Sequence, residues 1–107
     1  MTDQIDILEI VIDHPRLDAA IAPVFRDQMN DRFASRPTRL LLDLSAVQFI
    51  DSTGLGVLVL LLKQMGAPGK IAVVGLSPAV ARLLQITRLD TLFLQFDSAE
   101  AARAALA

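Results

Sequence analysis

The sequence predicts an open α/β sheet with helices packed on it, a mixed sheet of about four strands within a single domain spanning residues 1–107. Three observations carry this. Strand-like and helix-like segments alternate along the chain as β-α-β-α-β-α-β-α. Two of the strand-like segments, Arg39–Leu44 and Lys70–Gly75, are apolar without a period of two, as in strands buried on both faces. Turn signals recur at short intervals, at Asp13-His14-Pro15, Ser35-Arg36-Pro37, Gly66-Ala67-Pro68-Gly69 and from Gly75 to Pro78, with no linker, low-complexity tract or repeat between them.

Each element has a local reason. Ile5–Ile12 is β-branched and partly alternating, a strand. From Ala22-Pro23 to about Ala34 the apolar residues Ala22, Phe25, Met29 and Phe33 recur at helical spacing, with Pro23 suited to the first turn and Pro37 just past the end. Ser52-Thr53-Gly54 opens an apolar helix that runs to about Met65 and is closed by Gly66. Ser77-Pro78 pairs a capping hydroxyl with a first-turn proline, and the helix it starts ends near Thr87. Leu92–Phe96 is the last strand, and Ser98 caps an alanine-rich terminal helix.

Composition removes whole classes of function. The 107 residues suffice for one core, and 53% hydrophobic against 21% charged residues describes a packing sequence. The absence of Cys excludes disulfides, thiolate zinc sites and cysteine catalysis. The one histidine, His14, lies beside Pro15 in a turn with no second ligand at metal spacing, so no metal and no cofactor are expected. A net charge of −2 and a pI near 5.1 argue against nucleic acid, and five Phe with no Trp or Tyr offer no base-stacking platform. The longest apolar run, Leu55–Leu62, falls well short of the roughly 20 residues that span a bilayer. Met1-Thr2-Asp3-Gln4 carries an acid where a secretory signal carries basic residues, so a cytoplasmic protein without membrane insertion is expected. The mean hydropathy of +0.50 suggests that some apolar surface meets a partner.

Enzyme signatures fail on spacing. Gly54-Leu55-Gly56 lacks the third glycine of a dinucleotide fingerprint, where Val59 stands, and Gly66–Lys70 is no phosphate loop because Ile71 replaces the Ser or Thr. No nucleophile elbow surrounds Ser52. Asp51-Ser52-Thr53-Gly54 brings the aspartic proteases to mind, but Thr53 interrupts their tripeptide and a long helix follows where a mainly β fold would be needed. No enzymatic activity is expected.

The segment Phe49-Ile50-Asp51-Ser52-Thr53-Gly54-Leu55-Gly56 stands at the carboxyl end of a strand region, where sites in open α/β sheets gather. A hydroxyl at this helix start meets free N–H groups and the positive end of the helix dipole, and it tolerates a phosphate. Two readings of Ser52 stand side by side: a plain N-cap, shared with Thr53, or an accessible hydroxyl that is modified. The following helix is apolar nearly all round, either sandwiched or partly open to a protein partner, and a Lys at Leu55 or Leu58 is expected to weaken that partner's binding without unfolding the chain.

Leu42-Asp43-Leu44-Ser45 through Phe49-Ile50-Asp51-Ser52-Thr53-Gly54-Leu55-Gly56-Val57-Leu58 closely resembles the signature of STAS domains, specifically bacterial anti-sigma factor antagonists. Val74-Gly75-Leu76-Ser77-Pro78-Ala79-Val80-Ala81-Arg82-Leu83-Leu84 is similar to the family's second recognisable stretch, and Leu17-Asp18-Ala19-Ala20 to the lead into its first helix. The resemblance implies a STAS-like domain that switches partners. Unphosphorylated, it binds an anti-sigma factor that is also a serine kinase and thereby frees the sigma factor. Phosphorylation, at Ser52 by motif position with Thr53 as second choice, releases it, and a PP2C-type phosphatase resets it. Asp51, Ser52, Thr53, Gly54, Leu55, Gly56 and Leu58 form the expected partner-binding set. A second possibility within the family is a docking subunit of a membrane transport complex without a phosphorylation cycle. One departure is visible: family members commonly place two strands before the first helix, whereas Met1–Ile12 has room for one strand and a stub.

Overall fold

The computed structural model describes residues 7–33, 38–66 and 69–107. The expectations placed on Ile5, Asp6, Ala34, Ser35-Arg36-Pro37 and Ala67-Pro68 lie outside the described residues. The elements in chain order are β1 (Ile7–Val11), β2 (Arg16–Leu17), α1 (Ala22–Arg32), β3 (Arg39–Asp43), β4 (Phe49–Ile50), α2 (Ser52–Met65), β5 (Lys70–Val74), α3 (Pro78–Ile86), β6 (Leu94–Phe96) and α4 (Ala99–Leu106). A short 3-10 turn, Leu89–Thr91, joins α3 to β6.

Four strands form one sheet in the order β1-β3-β5-β6. Where a mixed sheet was expected, all the pairs among the described residues are parallel: every return between these sheet neighbours is made by a helix, α1, α2 or α3, and a helical crossover sets its two strands parallel. The two interior strands explain their own lack of period. Leu40 and Leu42 of β3 point into a large core shared with Phe25, Met29, Leu58, Leu61 and Leu84, while Leu41 points the other way, into a smaller core with Ala72, Val74, Ala102 and Leu106. Successive strand residues face opposite sides, so a strand covered on both must be apolar throughout.

Helix α4 covers the smaller core. Its Ser98 cap accepts a hydrogen bond from the Ala101 N–H at 3.1 Å, and its far end is tied down when Arg39 Nε donates to the Leu106 carbonyl at 2.5 Å. Arg103 spans from α4 to Glu9 of β1, with Nη2 2.8 Å from Oε1 and Nε on Oε2. Hydrogen bonding by Arg103, reinforced by its charge and opposed by partial burial, holds the Glu9 carboxyl below its ordinary value.

The second sheet is small and was not anticipated. β2 and β4 pair in parallel over two residues each, Arg16 with Phe49 and Leu17 with Ile50. The stub was expected within Met1–Ile12; the short strand instead falls at Arg16–Leu17, beginning inside the segment read as a turn. The pair lies beside α2, and it is this pair that places the candidate site.

Candidate functional site

The site begins where β4 runs into α2. The Asp51 N–H donates to the Leu17 carbonyl at 3.2 Å, which extends the β2–β4 ladder by one step before the chain turns into the helix. Asp51, in extended conformation, then serves as the N-cap: its Oδ1 accepts from the Gly54 N–H at 2.9 Å. Its Oδ2 accepts from the Ala19 N–H at 3.2 Å. One carboxylate thus caps α2 and fastens the loop ahead of α1. This settles the capping question against Ser52 and Thr53, because the extended residue directly before the helix is Asp51 and both its oxygens are engaged.

Ser52 and Thr53 are left as the first two helical residues, both exposed. Among the described residues the Ser52 hydroxyl enters no hydrogen bond. The N–H groups of the first helical turn ahead of Gly54 have no intrahelical acceptor, so the hydroxyl stands beside free donors.

Gly54 is buried, and a Cβ there would overlap the Leu17 carbonyl oxygen. It lets α2 lie directly against β2. Gly56 is exposed, and no atom lies within 4 Å of where its Cβ would be. Leu55 is half-buried and packs on the core. Leu58 is corrected from an expected partner contact to a core residue at 1% exposure. Gly54, also buried, presents nothing to a partner beyond its backbone. The reason is positional: Gly54, Val57, Leu58 and Leu61 recur at i, i+3, i+4 and i+7, and that stripe faces α1, the β2–β4 pair and β5. The remaining apolar residues of α2, including Val59, Leu60 and Leu62, are half-buried, so this side of the helix is covered in part and open in part.

The exposed apolar residue next to the site is instead Phe49 of β4, at 42% exposure. The Arg16 guanidinium lies 4.3 Å from its ring centroid and makes a 3.3 Å ion pair with Asp18 Oδ2. The other oxygen of Asp18 accepts from the N–H groups of Ala20 and Ile21 at 3.1 and 3.3 Å, which readies the start of α1. Partial desolvation pushes the Asp18 carboxyl up, but Arg16 and the two N–H donors together outweigh it and hold the carboxyl below its ordinary value. Beyond Phe49 a cleft of about 200 Å³ opens between β4 and α3, lined by Gln48, Ile50, Ala79, Val80 and Leu83. Arg16, Asp18 and Phe49 were missed as a set. Phe49 and Asp18 stood in quoted motifs, but only the β2–β4 register brings them together with Arg16.

With this geometry in place the kinship is plain. A STAS domain family model matches residues 2–102, and the chain belongs to that family. It is 30% identical over 82 residues to the anti-sigma-F factor antagonist RsfB of Mycobacterium tuberculosis, an alignment covering 77% of this chain and 67% of that protein. The crystal structure of an anti-sigma factor antagonist from Mycobacterium paratuberculosis superposes with a TM-score of 0.84 at 28% identity, covering 98% of this chain and 89% of the other. Unphosphorylated SpoIIAA, an anti-sigma factor antagonist of Bacillus, shares the fold at a TM-score of 0.71 and 17% identity, over 98% and 92% of the two chains. The relatives are thus anti-sigma factor antagonists. No helix among the described residues is long and apolar enough to cross a membrane.

Proposed function

We propose that this chain is an anti-sigma factor antagonist controlled by phosphorylation of Ser52. In the unphosphorylated form it docks on an anti-sigma factor that is also a serine kinase and so frees the sigma factor. Transfer of phosphate from the kinase's ATP to the Ser52 hydroxyl ends the complex, and a PP2C-type phosphatase restores it. Its part in the cycle is to bind and to be modified, with the chemistry supplied by its partners.

The observation that carries this reading is the exposed Ser52 hydroxyl at the first residue of α2, held there by the Asp51 cap. The kind of partner follows from the named role of the relative RsfB. The physics of release is local. A phosphate adds about −1.5 to −2 charge at neutral pH. It arrives on the residue that follows Asp51, three positions beyond the exposed Phe49, on a surface that a docking partner would desolvate. In the free protein the N–H groups of the first helical turn and the helix dipole stabilise the new charge, whereas in the complex it meets a desolvation cost. No change of fold is required.

The test is Ser52→Ala incubated with the anti-sigma kinase and ATP. The wild-type chain is expected to take up one phosphate and dissociate, while the alanine form takes up none and stays bound. Full phosphorylation of the alanine form would move the site, to Thr53 first. Capture of a transporter ATPase in place of a kinase would replace the switch with the docking-subunit reading.

A further inference from the structure

The β2–β4 pair places Arg16 beside the segment that carries Ser52, and Arg16 is poorly committed where it stands. Its ion pair with Asp18 is a single 3.3 Å contact, and the Arg16 side chain is 61% exposed. Such exposed pairs are weak and easily exchanged. Its other contact is the face of Phe49 at 4.3 Å. Among residues 13–21 and 48–56, the two segments that build the site, the basic side chains are His14 and Arg16, against three aspartates.

We infer that Arg16 is the switchable counter-ion of phosphorylated Ser52: it leaves Asp18 and the Phe49 ring to take the phosphate, so that phosphorylation also uncovers Phe49. This rests on Ser52 being the modified residue. The reach is adequate. Parallel strands lie about 4.8 Å apart and rise about 3.3 Å per residue, which sets the Arg16 and Ser52 backbones roughly 10 Å apart. An extended arginine and a phosphoserine together span about that distance. The exchange is favourable because a guanidinium fork matches a phosphate with two charge-assisted hydrogen bonds, where Asp18 receives one.

The acidic neighbours allow it. Asp18 uses Oδ2 for Arg16 and Oδ1 for the Ala20 and Ile21 N–H groups, so losing Arg16 leaves the start of α1 held. Asp51 has both oxygens on backbone donors and cannot turn away from the phosphate. The new charge at Ser52 therefore favours a cation, and Arg16 is exposed and within reach across the β2–β4 pair.

Phosphoserine installed at position 52 during translation makes the test independent of any kinase. The second ionisation of the phosphate is followed by ³¹P NMR titration in this form and in the same form carrying Arg16→Gln. A cation about 5 Å from the phosphate lowers that pKa by about half a unit in water-like surroundings, so the midpoint is expected to rise by about that much in the glutamine variant. Arg16→Lys should recover part of the shift, and the Phe49 ring resonances should move on phosphorylation only when Arg16 is present. Equal midpoints in the arginine and glutamine forms, or Phe49 resonances indifferent to Arg16, would overturn the assignment. Absence of kinase-dependent phosphate on the unmodified chain would instead count against Ser52 as the natural site, whatever the titration shows.

Discussion

Two glycines two residues apart in α2 should respond oppositely to the same methyl group. At Gly54 a Cβ would overlap the Leu17 carbonyl oxygen, with the Leu17 carbonyl carbon 2.8 Å away. That neighbour is backbone in a paired strand and cannot rotate aside. Overpacking of this kind costs about 1–3 kcal/mol. The shift it forces strains the Asp51 N–H bond to the same carbonyl, worth about another 1 kcal/mol. Alanine returns about 1 kcal/mol of helix propensity. Gly54→Ala should therefore lose about 1–3 kcal/mol net. Gly56→Ala meets nothing within 4 Å and should gain about 0.5–1 kcal/mol. Urea denaturation of both variants reads the difference directly, and a thermal melt should separate them by roughly 4 °C per kcal/mol for a domain of this size. A Gly54→Ala protein as stable as wild type would refute the close approach of α2 to β2.

Three further outcomes follow from the packing and the charges. Asp51→Ala should lose about 1–2 kcal/mol, the worth of a helix cap, while Asp51→Asn retains an oxygen toward Gly54 and loses less; equal melting of the two would show that the cap contributes nothing. Leu58→Ala should lose about 2–5 kcal/mol as a core truncation, whereas Leu55→Lys should spare the fold and weaken partner binding; a mild Leu58 variant would mean that its site is open after all. Glu9 is held below its ordinary 4.5 by Arg103, so the pair favours the folded state above that pH and its contribution fades as pH falls through the lowered value. Arg103→Gln should accordingly separate from wild type at pH 7 and merge with it in acid, and a stability difference unchanged at pH 3 would contradict the ion pair.

Much of this molecule was legible in its residues, because local signals and tertiary demands agree. Ser77 accepts from the Val80 N–H and Ser98 from the Ala101 N–H, as their positions ahead of helices suggested. Gly66 ends α2 at a positive φ of 57°, where glycine is at ease. The interior strands announced their double burial by lacking a period. What escaped notice depends on contacts distant in sequence. Strands of two residues, Arg16–Leu17 and Phe49–Ile50, carry no pattern of their own and exist because each pairs with the other. Asp51 displaced Ser52 as the cap because the extended residue of the turn fell one position earlier, which composition does not encode. The burial of Leu58 reflects what lies over its face of α2, since periodicity gives a face and not its cover. The parallel order of the described strands likewise follows from where the crossovers land.

In the proposed switch the exposed Ser52 hydroxyl lies at the edge of the surface that would meet an anti-sigma factor. Titration calorimetry of that partner with the unmodified chain and with the chain bearing phosphoserine at position 52 tests this most directly. Unmodified protein should bind, and the phosphorylated form should bind at least about tenfold more weakly, the equivalent of about 1.4 kcal/mol for placing the added charge against a desolvated surface. Equal affinity of the two forms would contradict it.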